Sequence, residues 1–308
     1  MRPIFWQVFD GAPNHHRYAQ GNEHQGVSLA TLQGFPNENT IIIAAFAGWN
    51  DAAQSATDAL ETLLDVWDVQ EVHELEADDY YDYTFNRPEI STTMDGQRLI
   101  EWPSTTVFRA KTDALPNSEI FLVLGVEPNL RWKPFCQEVL KCVPPSDSTV
   151  LITLGALLAD VAHTRPIPVN GTTANQTLQE LTGFEPSRYE GPTGILGILQ
   201  SEAEIHGIPS MALWAAVPHY VAAPPCPKAT LGILRALEDV LDISLPLEEL
   251  VEDAQAWQTG VEEMASEDEE VADYVRSLEE TQDTAELPEA SGEAIAREFE
   301  RYLRRREK

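Results

Sequence analysis

Asp160, His163 and Arg165 stand within six positions of one another in the stretch LADVAHTRP. A carboxylate beside an imidazole can orient it as a general base, and an arginine next to them can fork onto an anion, so the trio could form a base with an anion clamp. The plainer use of the same residues is local pairing within one loop, which contributes little. A second candidate is the connection from Val217 to Lys228, which holds Pro218, His219, Tyr220, Pro224, Pro225, Cys226 and Pro227. Proline removes backbone donors and forbids helix and inner strand, so this is a rigid loop. Trp214 and Tyr220 flank Pro218-His219 and can wall an aromatic pocket or an interface. Asn50-Asp51 can supply a base or a ribose ligand, or simply cap the helix that follows. Glu190 and Thr193, in YEGPTG, precede a helix whose free N–H groups can hold an anion, unless Thr193 only caps it.

Other chemistry lacks its signature. No Gly-x-Gly-x-x-Gly, no phosphate-binding Gly-x-x-x-x-Gly-Lys-Ser/Thr and no Gly-x-Ser-x-Gly elbow occurs, so no cofactor is expected and no serine nucleophile is marked. His163 and His219 stand alone and His15 and His16 are adjacent, so no helix presents a metal-ligand pair and no metal is expected. Cys136, Cys142 and Cys226 form no CxxC pair and read as reduced thiols.

What must position these residues is a strand-to-helix rhythm. Thr40 to Ala47, Glu119 to Gly125, Ser148 to Gly155 and Ser210 to Ala216 are apolar runs with β-branched bias, suited to strands covered on both faces. Helical spacing follows in Ala52 to Leu64 and Trp132 to Cys142, and a helix from Thr193 to His206 is released by Gly207 into the last strand. Alternation of this kind predicts an α/β fold with a mostly parallel sheet between helices. It also delivers Asn50-Asp51, the His163 loop, Glu190 and the His219 loop to the carboxyl edge of the sheet, where ligands of such folds bind.

Two segments break the rhythm. Ala77 to Thr105, rich in Asp and Tyr, reads as an insertion with a hairpin around Asp95-Gly96. Its tyrosines 80, 81 and 83 and Trp102 are the aromatic surface expected at a subunit interface. From Ser244 onward no strand signal occurs, and from Glu248 to Lys308 there are 20 acidic and 7 basic residues. Residues 1–245 therefore read as the α/β domain and 246–308 as an acidic helical extension, with a loosely ordered linker from Thr281 to Gly292 and a last helix from Ala294 to Arg306.

Charge narrows the partners. A formal net charge of −31 repels nucleic acid and anionic lipid alike. It suits solubility or a basic protein partner. No apolar run approaches the roughly 20 residues that span a bilayer, and MRPIFWQVFDG is too soon interrupted for a signal segment, so the expectation is a cytoplasmic protein.

GWNDAAQSATDAL (48–60), LGALLADVAHTRPIPVNG (154–171), YEGPTGILGIL (189–199) and GIPSMALWAAVPHYVAAPPCPKATLGILRALE (207–238) together resemble the proteasome assembly chaperone 2 family in its actinobacterial branch. The likeness spans about residues 25–245. It implies a three-layer αβα domain similar to the phosphorylase/hydrolase fold, a tendency to oligomerise, and a helical C-terminal extension, and it carries over no catalytic residue. Members that engage a proteasome core often end in a hydrophobic residue, a tyrosine and one further residue. This chain ends Arg304-Arg305-Arg306-Glu307-Lys308, so a member without that docking tail is expected. The resulting expectation is a homo-oligomeric binding or chaperone-like protein, a trimer ahead of a dimer by family analogy. The alternative is a hydrolase or ligase acting on a small anionic or nucleoside-like substrate at the strand ends.

Overall fold

The structure is a computed structural model that describes residues 39–144, 146 and 148–286. Its centre is β1 (Thr40–Ala47), every residue of which is buried except the half-buried last. That burial explains the unbroken run TIIIAAFA, since a strand covered on both faces has no polar side to alternate with. β1 pairs in parallel with β6 (Glu119–Val126) on one side and β7 (Thr149–Ala159) on the other, and β7 pairs in parallel with β9 (Ser210–Pro218). β2 (Asp68–Glu74), β5 (Thr105–Lys111) and β8 (Val169–Thr172) complete a seven-stranded sheet in the order β2-β5-β6-β1-β7-β9-β8. β5 runs antiparallel to β6, β2 antiparallel to β5, and β8 antiparallel to β9, so the mostly parallel sheet has mixed flanks.

Helices cover both faces. α1 (Ser55–Val66), α6 (Pro227–Leu241) and α7 (Glu248–Ser266) pack with one set of strand side chains, among them Ile41, Ile43, Ile152 and Leu213. α3 (Trp132–Lys141) and α5 (Ile195–Ile205) pack with the alternate set, including Ile42, Ala44 and Leu151. This is the three-layer α/β fold. The short helices α2 (Ala77–Tyr80) and α4 (Gln176–Thr182) sit in the connections, and α8 (Glu269–Glu286) closes the described chain. No helix among the described residues is long and apolar enough to cross a membrane.

Several sequence expectations shift. The helix expected from Thr193 begins at Ile195 with Gly194 as its N-cap residue, and the linker expected from Thr281 begins inside α8. The expected helix at 294–306 and the chain start lie outside the described residues. The insertion does hold a hairpin, β3 (Glu89–Thr92) with β4 (Arg98–Glu101), turning through Gly96 at φ +84°. Its tyrosines are not a free surface. Tyr80 and Tyr81 are buried, and the Tyr81 hydroxyl bonds Thr105 Oγ1 at 2.8 Å and the Val126 carbonyl at 2.9 Å. Tyr81 pins the root of the insertion to β5 and β6 and Tyr80 pins it to Phe135 and Glu138 of α3, because a phenol is a large apolar body whose hydroxyl must be satisfied when buried. What the hairpin exposes is aliphatic and aromatic instead: Ile90, Met94, Leu99, Ile100 and Trp102.

Candidate functional site

Parallel pairing brings the ends of β1, β6, β7 and β9 to one edge, and nearly all the sequence candidates belong to the connections there. They divide into two groups. At the end of β1 the chain bends through Ala53 and Gln54, both with positive φ, before α1 starts. Asp51 thereby reaches forward to the helix: its Oδ1 accepts from Ala56 N at 2.7 Å and its Oδ2 from Thr57 Oγ1 at 2.5 Å. This is capping from a distance, with the carboxylate set against the positive end of the helix. Burial pushes the Asp51 carboxyl up, against the opposing pull of the Thr57 and Ala56 hydrogen bonds. Asn50 lies beside it, its carbonyl accepting from Ala156 N at 2.8 Å.

The N-terminus of α5 opens toward the same crevice. No anion site is free there, because Glu127, at the end of β6, already places Oε1 2.8 Å from Ile195 N. A Cβ on Gly194 would run into Asn50 Oδ1, so only glycine lets the three segments meet. Thr193 makes no side-chain cap, and both it and Glu190 are exposed on the loop before α5. The role expected of Thr193 thus falls to Glu127, 68 positions before the amide it holds.

The second group stands at the ends of β7 and β9. Asp160, His163, Arg165 and His219 do come near one another, but not in the expected pairs. Asp160 Oδ1 lies 3.2 Å from His219 Nδ1, not on His163. His163 turns inward, 1% exposed, and the Tyr220 hydroxyl lies 2.8 Å from both its backbone N and its Nδ1. Among the described residues His163 Nε2 has no hydrogen-bond partner, and burial holds the imidazole below its ordinary pKa. A neutral, enclosed imidazole facing a phenol is poorly placed to take a proton from a substrate. Arg165 turns outward to α8, with Nε and Nη2 each 2.7 Å from the two oxygens of Asp283. Trp214 takes no part: its ring packs over Gly155, where any Cβ would strike it, on the face covered by α3 and α5.

Three partners escaped the sequence reading. Lys228, in the first turn of α6, donates from Nζ to the His163 carbonyl at 2.5 Å and to Gln258 Oε1 of α7 at 2.6 Å. Burial pulls its ammonium down to about 8. Its position was itself a signal, since a lysine at the positive end of a helix opposes the dipole and needs another reason to be there. Tyr274 stacks edge-on to His219 and Tyr220, with centroids 5.6 and 6.1 Å away, and Glu279 accepts from Thr164 Oγ1. Nothing local marked these two.

The cysteines are free; burial raises Cys136 to about 12 and Cys142 and Cys226 to about 11, so none is a ready nucleophile. Among the described residues no three His, Cys, Asp or Glu side chains gather as a metal would require. A cleft of 470 Å³ between α1, α6 and α7, lined by Asp58, Pro225 and Trp257 among others, holds none of the predicted site residues.

The PAC2 family profile matches residues 45–265. The chain belongs to the PAC2 family. A PAC2 family protein from Streptomyces avermitilis is 45% identical over 77% of this chain and 100% of its own, with a TM-score of 0.71. A proteasome-assembly chaperone homologue from Mycobacterium tuberculosis is 42% identical over 76% and 99%, at 0.68. A Corynebacterium glutamicum protein of unknown function is 26% identical over 82% and 93%, at 0.73. No curated protein matches. The match to PAC2 relatives extends the likeness read from the sequence blocks to the whole layered domain.

Proposed function

We propose that this PAC2 protein is a chaperone-like binding protein that holds a protein partner, using the β3–β4 arm as its contact surface. The arm carries the reading. It forms a two-stranded sheet apart from the main one, with Ile90 and Ile100 more than half exposed at 58% and 55%, and with Met94 and Trp102 also open to solvent. A solitary domain has no use for that much contiguous apolar surface. The name of the Mycobacterium tuberculosis relative supports the class of partner, an unassembled proteasome subunit. The net charge of −31 supports a basic face on that partner, and the likeness to a proteasome-assembly chaperone homologue supports a cytoplasmic setting. The arm also supports self-association, and family analogy alone puts a trimer ahead of a dimer. We assign 1–245 to the α/β domain and 246–308 to an acidic extension, α7 and α8 being its first helices.

Replacing Ile90 and Ile100 together with serine tests the reading. Wild-type protein should co-elute with unassembled proteasome subunits and should self-associate by light scattering. The variant should lose both while its circular dichroism is unchanged. Full retention of partner and mass by the variant would remove the arm from this role.

A further inference from the structure

We propose that the β7–β8 loop, with the turn after β9, is a receptor for an acidic amphipathic helix of a protein partner, and that α8 is its resident occupant, closing it in cis. This shares with the preceding reading only the idea of a protein partner. It uses a different surface, so loss of the arm's contacts leaves it standing.

The occupant shows what the surface recognises. Asp283 takes two parallel bonds from Arg165, the planar fork geometry that distinguishes carboxylate recognition by arginine from a chance surface pair. Glu279 accepts from Thr164 Oγ1 and from Arg165 Nη1, and Gln282 Oε1 accepts from Ala162 N at 3.2 Å. Residues 279, 282 and 283 fall at helical spacing on one face, so the loop reads a helix and not merely a charge. One turn earlier, Tyr274 donates to Asp160 Oδ1 at 3.3 Å and meets the rings of His219 and Tyr220. Below the loop Lys228 adds a second cation, tied to the His163 carbonyl. In a chain of net charge −31 this is a local cationic spot facing carboxylates.

The occupant is also attached in a way that lets it leave. No α8 residue belongs to either apolar core cluster, although Val275 and Leu278 are buried. α8 joins α7 at Glu267 and Asp268. Glu267 keeps helical backbone angles, and Asp268 caps α8 by accepting from Glu270 N at 2.9 Å. The helix is therefore held by polar contacts that individually contribute little, by the Tyr274 ring contacts and by the packing of Val275 and Leu278, outside the cores that carry the sheet. A helix with the same groups on a partner competes with it for the loop.

The test uses full-length protein carrying Glu279→Gln and Asp283→Asn, and a labelled peptide with the sequence of residues 269–286. Hydrogen exchange should show residues 269–283 less protected in the variant than in the wild type. Peptide binding by fluorescence anisotropy should be at least about ten-fold tighter to the variant, because the competing occupant is weakened. Adding Arg165→Gln should abolish that gain, as should about 0.5 M NaCl, where screening lengths fall to roughly 4 Å. An opened variant that fails to bind the peptide overturns the proposal. So does binding indifferent to Arg165→Gln, unchanged protection of α8, or a variant that dimerises by exchanging α8 and so identifies the occupant as a second copy. If the arm variant keeps its proteasome subunits and its mass while this peptide result holds, the earlier reading fails alone.

Discussion

The two halves of the carboxyl edge use polar side chains in opposite ways. Beside β1, Asp51 and Glu127 are spent on backbone amides that a crossover fold always leaves open, the first N–H groups of α1 and α5. Beside β7 and β9, Asp160, Arg165 and His219 meet side chains, several of them from α8, as far as 118 residues along the chain. The first half is architecture: its bonds are formed whenever the sheet and its helices are. The second joins a loop to a helix far along the chain through side chains on both, the kind of contact from which binding surfaces are built. Polar residues in the sequence drew attention at both places, but only position in the fold tells a cap from a contact.

The sharpest way to break this comparison is Asp51→Ala. It orphans the buried Ala56 N–H and leaves the Thr57 hydroxyl only the Gln54 carbonyl at 3.1 Å, and the expected loss is about 2–3 kcal/mol, combining a lost cap with an unsatisfied donor. For a chain of this size that is a melting shift of roughly 4–12 °C, read by calorimetry. An effect under about 0.5 kcal/mol, the range of ordinary surface changes, would move Asp51 out of the architectural half. Next in size is Glu127→Ala, which frees one helix-terminal N–H and should cost about 1 kcal/mol, with Glu127→Gln recovering most of it because its amide oxygen still accepts. Neither change should alter hydrogen exchange in α8. If it does, the two halves of the edge are coupled and the division fails.

Four strands were legible because burial on both faces leaves an apolar run that nothing else in the chain imitates. β2, β5 and β8 were not. DVQEVHE is largely exposed, TTVFRAK alternates buried and open positions at the flank of the sheet, and VNGT is four residues containing a glycine. Each depends on its neighbour more than on its own propensity. The hairpin was legible from Asp95-Gly96, since the turn needs a residue content at positive φ. Tyr81 misled for the opposite reason: composition cannot say which side of a loop faces the core. The LADVAHTRP loop was found but its pairings were not, because nearest-in-sequence pairing lost to a phenol 57 positions away and a carboxylate 118 positions away.

The smallest expected effect is a slope, and it sharpens the comparison from the second half of the edge. Lys228 lies under the loop that α8 covers, and burial brings its pKa from an ordinary 10.5 to about 8 in the folded protein. Between these values the unfolded chain still binds a proton that the folded chain has released, so stability rises with pH from about 8 to 10.5. Below about 8 the folded protein carries the buried ammonium, and that gain is absent. Lys228→Met keeps much of the stem and removes the titration. Melting temperatures of wild type and variant measured between pH 7 and pH 10 should therefore diverge in slope, the wild type rising relative to the variant above pH 8. Water reaching the half-buried Nζ reduces the size of the slope but not its sign. Parallel curves would mean that Lys228 is solvated and pairs with neither His163 nor Gln258 in solution. Arg165 would then carry the loop's charge toward α8, and charge reversal at that one residue should weaken the hold on α8.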